Sequence, residues 1–200
     1  MQTLLHVGCG QKRKDRTTRG FNNDNWHEIR LDIDPSVLPD VTGTMTDMTL
    51  VKTSTVDAIF SSHNIEHLYP HEVPIALKEF VRVLSEDGIT VITCPDLLSV
   101  SELVAQDKLT DTAYDSPAGA IAPIDIIYGH RKSMELGNLY MAHRCGFTRK
   151  VLQATLLSNG FAKVATLARG GPYFDLWAVA SKSERTEEEM RALAAAHFPT

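Results

Sequence analysis

The sequence predicts an α/β fold on a mainly parallel sheet. Short apolar, strand-like runs alternate with helix-like segments. The first run stops in a Gly-x-Gly turn at Gly8-Cys9-Gly10, and the second ends in acid at Asp32. Two hundred residues suit one domain with embellishments, and a chain of that size buries a core without disulfide or metal staples. Residues 1–200 are therefore taken as a single domain.

Residues 3–7 (TLLHV) form the first run, and residues 28–32 (EIRLD) the second. Residues 41–45 form a weaker third, residues 56–61 (VDAIFS) a fourth, and residues 89–94 (ITVITC, ended by Pro95) a fifth. Between the last two, Val73, Leu77, Phe80, Val81 and Leu84 recur on one face of a 3.6-residue period, predicting a helix over 72–84. Pro74 suits its first turn, and Asp87-Gly88 is expected to turn the chain into the next strand. Residues 148–158 predict a second helix, capped by Thr148 and stopped at Asn159-Gly160. Strands are expected at 161–167 and 173–180, and the tail from Ser183 reads as a surface helix.

Two stretches break the alternation. Residues 11–25 carry Lys12, Arg13, Lys14, Arg16 and Arg19, with Phe21 the only large apolar residue. They read as a solvated loop, with reception of an anionic substrate as the alternative. Residues 97–146 hold a helical piece near 100–108, then Pro117, Gly119, Pro123 and Gly129. This stretch is too rich in aromatic and aliphatic residues for disorder and is expected to be a lid-like insertion.

Composition narrows the function. A net charge of −5 argues against nucleic acid as a partner, and no apolar run approaches the ~18 residues of a membrane span. The amino terminus lacks a basic signal-peptide region, and Cys9, Cys94 and Cys145 are odd in number and far apart. Both features point to the cytoplasm. A glycine turn after one strand and an acid closing the next suit a nucleotide ligand, because glycine admits close backbone approach and a carboxylate accepts from ribose hydroxyls. The turn alone would equally serve as a tight structural turn. The dinucleotide fingerprint fails at Arg13.

Taken together, LLHVGCG, RLDIDPS, VDAIFSSHNIEHL and EFVRVLSEDGITVITCPD, in that order over residues 3–96, resemble the class I S-adenosylmethionine (SAM)-dependent methyltransferases of the small-molecule type. The resemblance implies a Rossmann-like seven-stranded sheet with helices on both faces and the last strand antiparallel. It implies SAM across the carboxyl ends of the first strands, with Gly8, Cys9 and Gly10 around its methionine portion. Asp32, beside Ile33, would hold the ribose, and Asp34 is the competing choice. Asp47 would lie near the adenine amino group with Met48 packed beside it, and Ser61, Ser62 and His63 would stand where methionine and substrate meet. The sequence departs from the family in having His6 for an acid in the first strand, Lys12 for a third glycine, and no evident helix after the glycine loop. The sequence starts at its first strand, so the 97–146 insertion is the expected cover for SAM.

His63-Asn64-Ile65-Glu66-His67 also spells H-x-x-E-H, the zinc pattern of inverted metalloproteases. Pro70 leaves too little helix to carry it, so Glu66 and His67 are expected to make structural hydrogen bonds and no metal is expected. The function read here is methyl transfer from SAM to a small-molecule acceptor, by alignment of the acceptor with the sulfonium methyl. His63, His130 and His143 are the candidate bases, and a monomer or homodimer is expected. A non-catalytic SAM- or nucleotide-binding module and a zinc hydrolase using His63, Glu66 and His67 are the alternatives.

Overall fold

The structure, a computed structural model, describes residues 1–200. In chain order its strands are β1 (Gln2–Val7), β2 (Trp26–Asp32), β3 (Val41–Thr42), β4 (Val56–Ser62), β5 (Leu84–Pro95), β6 (Tyr114–Ser116), β7 (Gly119–Ile121), β8 (Lys163–Arg169) and β9 (Asp175–Ser181). The helices are α1 (Val73–Val83), α2 (Leu97–Ala105), α3 (Pro123–Tyr128), α4 (Arg131–Glu135), α5 (Arg149–Ser158) and α6 (Glu187–His197). Seven strands form one sheet in the order β3-β2-β1-β4-β5-β9-β8, while β6 and β7 make a separate hairpin in the insertion. Strands β1 to β5 pair in parallel, and β9 runs antiparallel to both β5 and β8. The expected seven-stranded sheet with an antiparallel last strand is the one observed. No helix is long and apolar enough to cross a membrane.

The pleat sorts the strand residues onto two faces. On one, Leu5, Val7, Ile59, Ile92 and Ala178 pack with Leu77 and Phe80 of α1 and Leu152 and Leu156 of α5. On the other, Leu4, Phe60, Val91 and Val179 pack with Phe21 and with Leu193 and Phe198 at α6. Residues 11–25 form only a single 3-10 turn at Lys14–Arg16, and the carboxyl-terminal helix covers the face that a helix after β1 would have covered. Phe21 is the anchor, edge-on to Trp26 at 5.0 Å and 4.3 Å from the His197 ring. Lys14 Nζ donates to the carbonyls of Asn23 and Trp26, so this basic stretch is tied to the fold.

Several boundaries shift from expectation, the 100–108 helical piece to Leu97–Ala105 among them, and two shifts have a clear cause. The third strand shrinks to two residues because a bridge between Thr44 and Asp47 closes a turn directly after it. Asp87-Gly88 does not separate helix from strand. Strand β5 begins at Leu84, and the extra residues form an irregularity where the pairing jumps from Val56–Leu84 to Ala58–Ile89. Strands β1, β2, β4 and β5 all end at one edge, and ligands of open α/β sheets bind beyond such an edge.

The seam between α6 and residues 11–25 is sensitive to pH. His197 is buried, with Nδ1 2.7 Å from Thr18 Oγ1, and burial pushes its pKa down to about 4 from an ordinary 6.5. The unfolded chain takes up a proton that the folded chain refuses. This contribution to stability is therefore complete above about pH 6.5 and is lost as pH falls towards 4, by at most roughly 3 kcal/mol. Denaturant unfolding between pH 7 and 4.5 should show wild type losing stability more steeply than His197→Gln, and parallel profiles would clear His197 of this role.

Candidate functional site

The glycine loop at the end of β1 is held from β2. Gly8 and Gly10 have φ of 63° and 53°, a region that glycine enters without penalty. A Cβ on Gly8 would stand 2.1 Å from Asn64 Oδ1, whereas one on Gly10 would meet nothing within 4 Å. Arg30 is buried, and its guanidinium donates to the carbonyls of Gly10, Lys12, Val37 and Leu38. Asp32 Oδ2 accepts from Gly10 N at 2.7 Å, and Oδ1 accepts from Asp34 N at 2.9 Å. These two side chains do the work of the missing helix. Under the loop, His6 Nδ1 lies 2.9 Å from Glu28 Oε1, so the carboxylate absent from β1 is supplied by its neighbour. Burial lowers the His6 pKa despite Glu28.

A cavity of about 440 Å³ opens over this edge, within the size range of small-molecule sites. Gly8, Cys9, Gly10, Asp32, Ile33, Asp34, Ser62 and His63 line it, as do Gly43, Thr44, Met45 and Asn64. Asn138, Tyr140, Met141 and Arg144 close it from the insertion. Burial pushes the Cys9 thiol up to about 11, so it lines the wall as a neutral group. Three expected cofactor residues do not line the cavity. Ser61 is buried behind the wall and accepts from Asn64 Nδ2 at 3.3 Å. Met48 is held in the core because Glu79 Oε2 accepts from its N–H and Arg82 donates to its carbonyl, both at 2.8 Å. Asp47 sits in the same turn and accepts from Thr49 N at 3.2 Å. Thr44 and Met45 line the cavity in their place, a choice set by the tight 44–47 turn together with the hold of Glu79 and Arg82 on Met48.

The far end of the cavity is built by β4 and the insertion. His63 N donates to Thr93 O at 2.9 Å, and the residue takes φ of 56°, a conformation costing an L-residue roughly 1–2 kcal/mol. Its side chain is 50% exposed, and Nδ1 lies 3.3 Å from Glu66 Oε1. Residues 65–67 form a 3-10 turn, so His63 and His67 do not share a helical face and the inverted-metalloprotease arrangement is absent. Burial favours the neutral Glu66 carboxyl, but His63, with His67 and His143, holds its pKa below the usual carboxylate range. Glu66, His67 and His143 instead bring one potential metal-ligand atom each within 4.8 Å of the others.

Of the three candidate bases, only His63 lines the cavity. Gly129 turns the chain after α3 with φ of 100°, and His130 Nδ1 engages Ser133 Oγ at 2.7 Å. His143 stands behind the wall, with Nδ1 2.8 Å from Ile126 O and its ring 4.9 Å from that of His67. Sequence reasoning missed Asn138, Met141 and Arg144. Their nearness to His143 in the chain was the available signal.

The stretch that builds β1 to β5, residues 5–92, matches the family described as Methyltransferase domain. This stretch, a little under half of the chain, is thus similar to a methyltransferase domain. Most of the chain shares a fold with solved methyltransferases. The Burkholderia thailandensis 1,6-didemethyltoxoflavin-N1-methyltransferase, solved with 1,6-didemethyltoxoflavin and S-adenosylhomocysteine, is similar over 91% of this chain and 71% of its own, with 15% identity and a TM-score of 0.58. A SAM dependent methyltransferase from Archaeoglobus fulgidus is similar over 90% of this chain and 86% of its own, with 14% identity and a TM-score of 0.56. No curated protein matches the chain. Family match and fold agree with the class I resemblance carried by the four motifs, and they support a methyltransferase enzyme with SAM as its cofactor.

Asp32 and Asp34 both line the cavity, but only Asp32 also fixes the loop. Asp32→Ala removes the acceptor of two backbone N–H groups and the carboxylate expected to hold the ribose. SAM affinity measured by calorimetry should fall by about 1.5–3 kcal/mol, the worth of a charge-assisted hydrogen bond, with a smaller loss for Asp34→Ala. The reverse order would move the ribose contact to Asp34.

Proposed function

We propose that the protein transfers the methyl group of SAM to a small-molecule acceptor that enters beside His63 and Tyr140. The observation that carries this reading is one continuous cavity running from the glycine loop and Asp32 to a polar end closed by the insertion. SAM supplies a methyl group already activated on a sulfonium, so the protein's task is binding, alignment and exclusion of water. The open, left-handed backbone at Gly10 and the carboxylates after β2 fit such a ligand. Gly8 and Gly10 would admit its methionine end against bare backbone, Asp32 would accept from the ribose hydroxyls, and Ile33 and Met45 would flank the adenine.

At the other end, Ser62 and His63 would border the sulfonium. Tyr140 and Met141 would cover the acceptor and keep water out. Arg144 stands beside them, 4.8 Å above the Tyr69 ring and donating to His67 O at 2.8 Å. Closure by residues 138–144 favours a small acceptor over a polymer.

The test is calorimetric titration with SAM, followed by assay of S-adenosylhomocysteine release with phenols, amines and nitrogen heterocycles as acceptors. With an acceptor in hand, Tyr140→Ala should raise its KM about tenfold, equivalent to about 1.4 kcal/mol, while the SAM Kd changes far less. Failure to bind SAM would refute the reading, and a Tyr140→Ala effect confined to SAM would remove the insertion from the acceptor site.

A further inference from the structure

We propose that Glu66, His67 and His143 form a binding site for a divalent first-row transition-metal ion at the acceptor end of the cavity. One ligand atom from each lies within 4.8 Å of the others. Two imidazoles and one carboxylate are a donor set that holds zinc or iron while leaving coordination positions open. The sequence pattern H-x-x-E-H names two of these residues but pairs them with His63. The structure replaces His63 with a histidine from the insertion.

The carboxylate is the first support. Glu66 is 1% exposed, and neither of its oxygens makes a hydrogen bond. His63 Nδ1 forms an ion pair with Oε1 at 3.3 Å, outside hydrogen-bond geometry, and Oε2 has no partner at all. A buried carboxylate lacking hydrogen bonds is costly unless it meets a well-placed cation. An ion at this point supplies that partner.

The imidazoles are the second support. His67 Nδ1 lies 3.1 Å from Ala142 O, and His143 Nδ1 lies 2.8 Å from Ile126 O. A carbonyl only accepts, so each Nδ1 carries the ring proton and each Nε2 presents a lone pair. Orientation of a histidine by a carbonyl behind it is the usual outer shell of a metal ligand. Ordinary core histidines would satisfy the same two carbonyls but would leave Glu66 as it is.

The frame is built before any ion arrives. Glu66 O accepts from Arg144 N at 2.8 Å and from Cys145 N at 3.2 Å, and Gly129 bridges to Ala142. The turn bearing Glu66 and His67 is thus stitched to the strand-like segment bearing His143. Because His67 also lines the cavity, the open side of the ion faces the acceptor. Its role there rests on the methyl-transfer reading. An acceptor hydroxyl on the ion has a lowered proton affinity. Its proton passes to solvent, the oxygen lone pair forms the new O–CH₃ bond, and the electron pair of the broken S–CH₃ bond stays on sulfur.

The experiment uses the full chain stripped of metal by a chelator and dialysed. It is titrated calorimetrically with Zn²⁺, and with Co²⁺ while visible absorption is recorded. One ion per chain is expected, with Co²⁺ bands of a nitrogen–oxygen site. Zn²⁺ affinity should fall at least tenfold in Glu66→Gln and His143→Asn when their circular dichroism matches wild type. A parallel SAM titration on stripped protein separates the two readings. SAM binding with no stoichiometric metal overturns the ion site and leaves methyl transfer standing, and metal binding without SAM binding does the reverse. Zn²⁺ affinity untouched by both substitutions also overturns the site. If both variants misfold, the wild-type Co²⁺ spectrum decides, because thiolate charge-transfer bands or an aquo-like spectrum would place the ion elsewhere.

Discussion

The site depends on the grip of β2 on the glycine loop. Arg30 and Asp32, two residues apart on one strand, take opposite halves of the same problem. The guanidinium satisfies loop carbonyls, and the carboxylate satisfies the N–H of Gly10. Both are buried, where an unpaired charge would be costly and a fully bonded one is rigid. A loop followed by a long helix inherits its shape from the helix. Here residues 11–25 offer only one 3-10 turn, so the loop's geometry rests on these side-chain bonds.

The missing helix has a second consequence on the far face of the sheet. Phe21, fully buried, and α6 close that face together. Gly20 N donates to Ala196 O and Arg19 to Ala195 O, so the two ends of the chain share one seam. A Cβ on Gly20 would stand 2.4 Å from the His197 ring, which shows how closely the backbone and helix meet. The nucleotide edge is therefore coupled through residues 11–25 to the last helix of the chain.

The far end of the cavity follows a different logic. There the strained His63, the 3-10 turn and the insertion converge on one buried carboxylate. Strain and unpaired polarity persist only where surrounding structure imposes them, and they gather where ligands bind. Thr93 holds His63 by its backbone, and Arg144 and Cys145 hold Glu66 by its carbonyl. The side chains are thus left free to face the cavity and one another.

The parallel strands, α1 and α5 are legible in the sequence because a two-sided sheet and an amphipathic helix impose periods that side chains must obey. Gly8, Gly10 and Asp32 are legible because backbone approach and a strand-ending carboxylate require those residue types. The order of strands and the antiparallel β9 came with the family resemblance, since pairing between distant strands leaves no local period. Other features lay wholly outside sequence reasoning. That Met45 rather than Asp47 faces the cavity depends on Glu79 and Arg82 of α1 clamping Met48. That Glu66 and His67 are joined by His143 depends on a 3-10 turn replacing a helix and on a backbone bridge from the insertion. The sequence by itself determined the elements and the chemistry of the nucleotide edge, because local periodicity and residue type encode them. Only the tertiary structure decided the far end of the cavity, because its groups come from segments far apart in the chain and are joined by backbone hydrogen bonds that any residue can make.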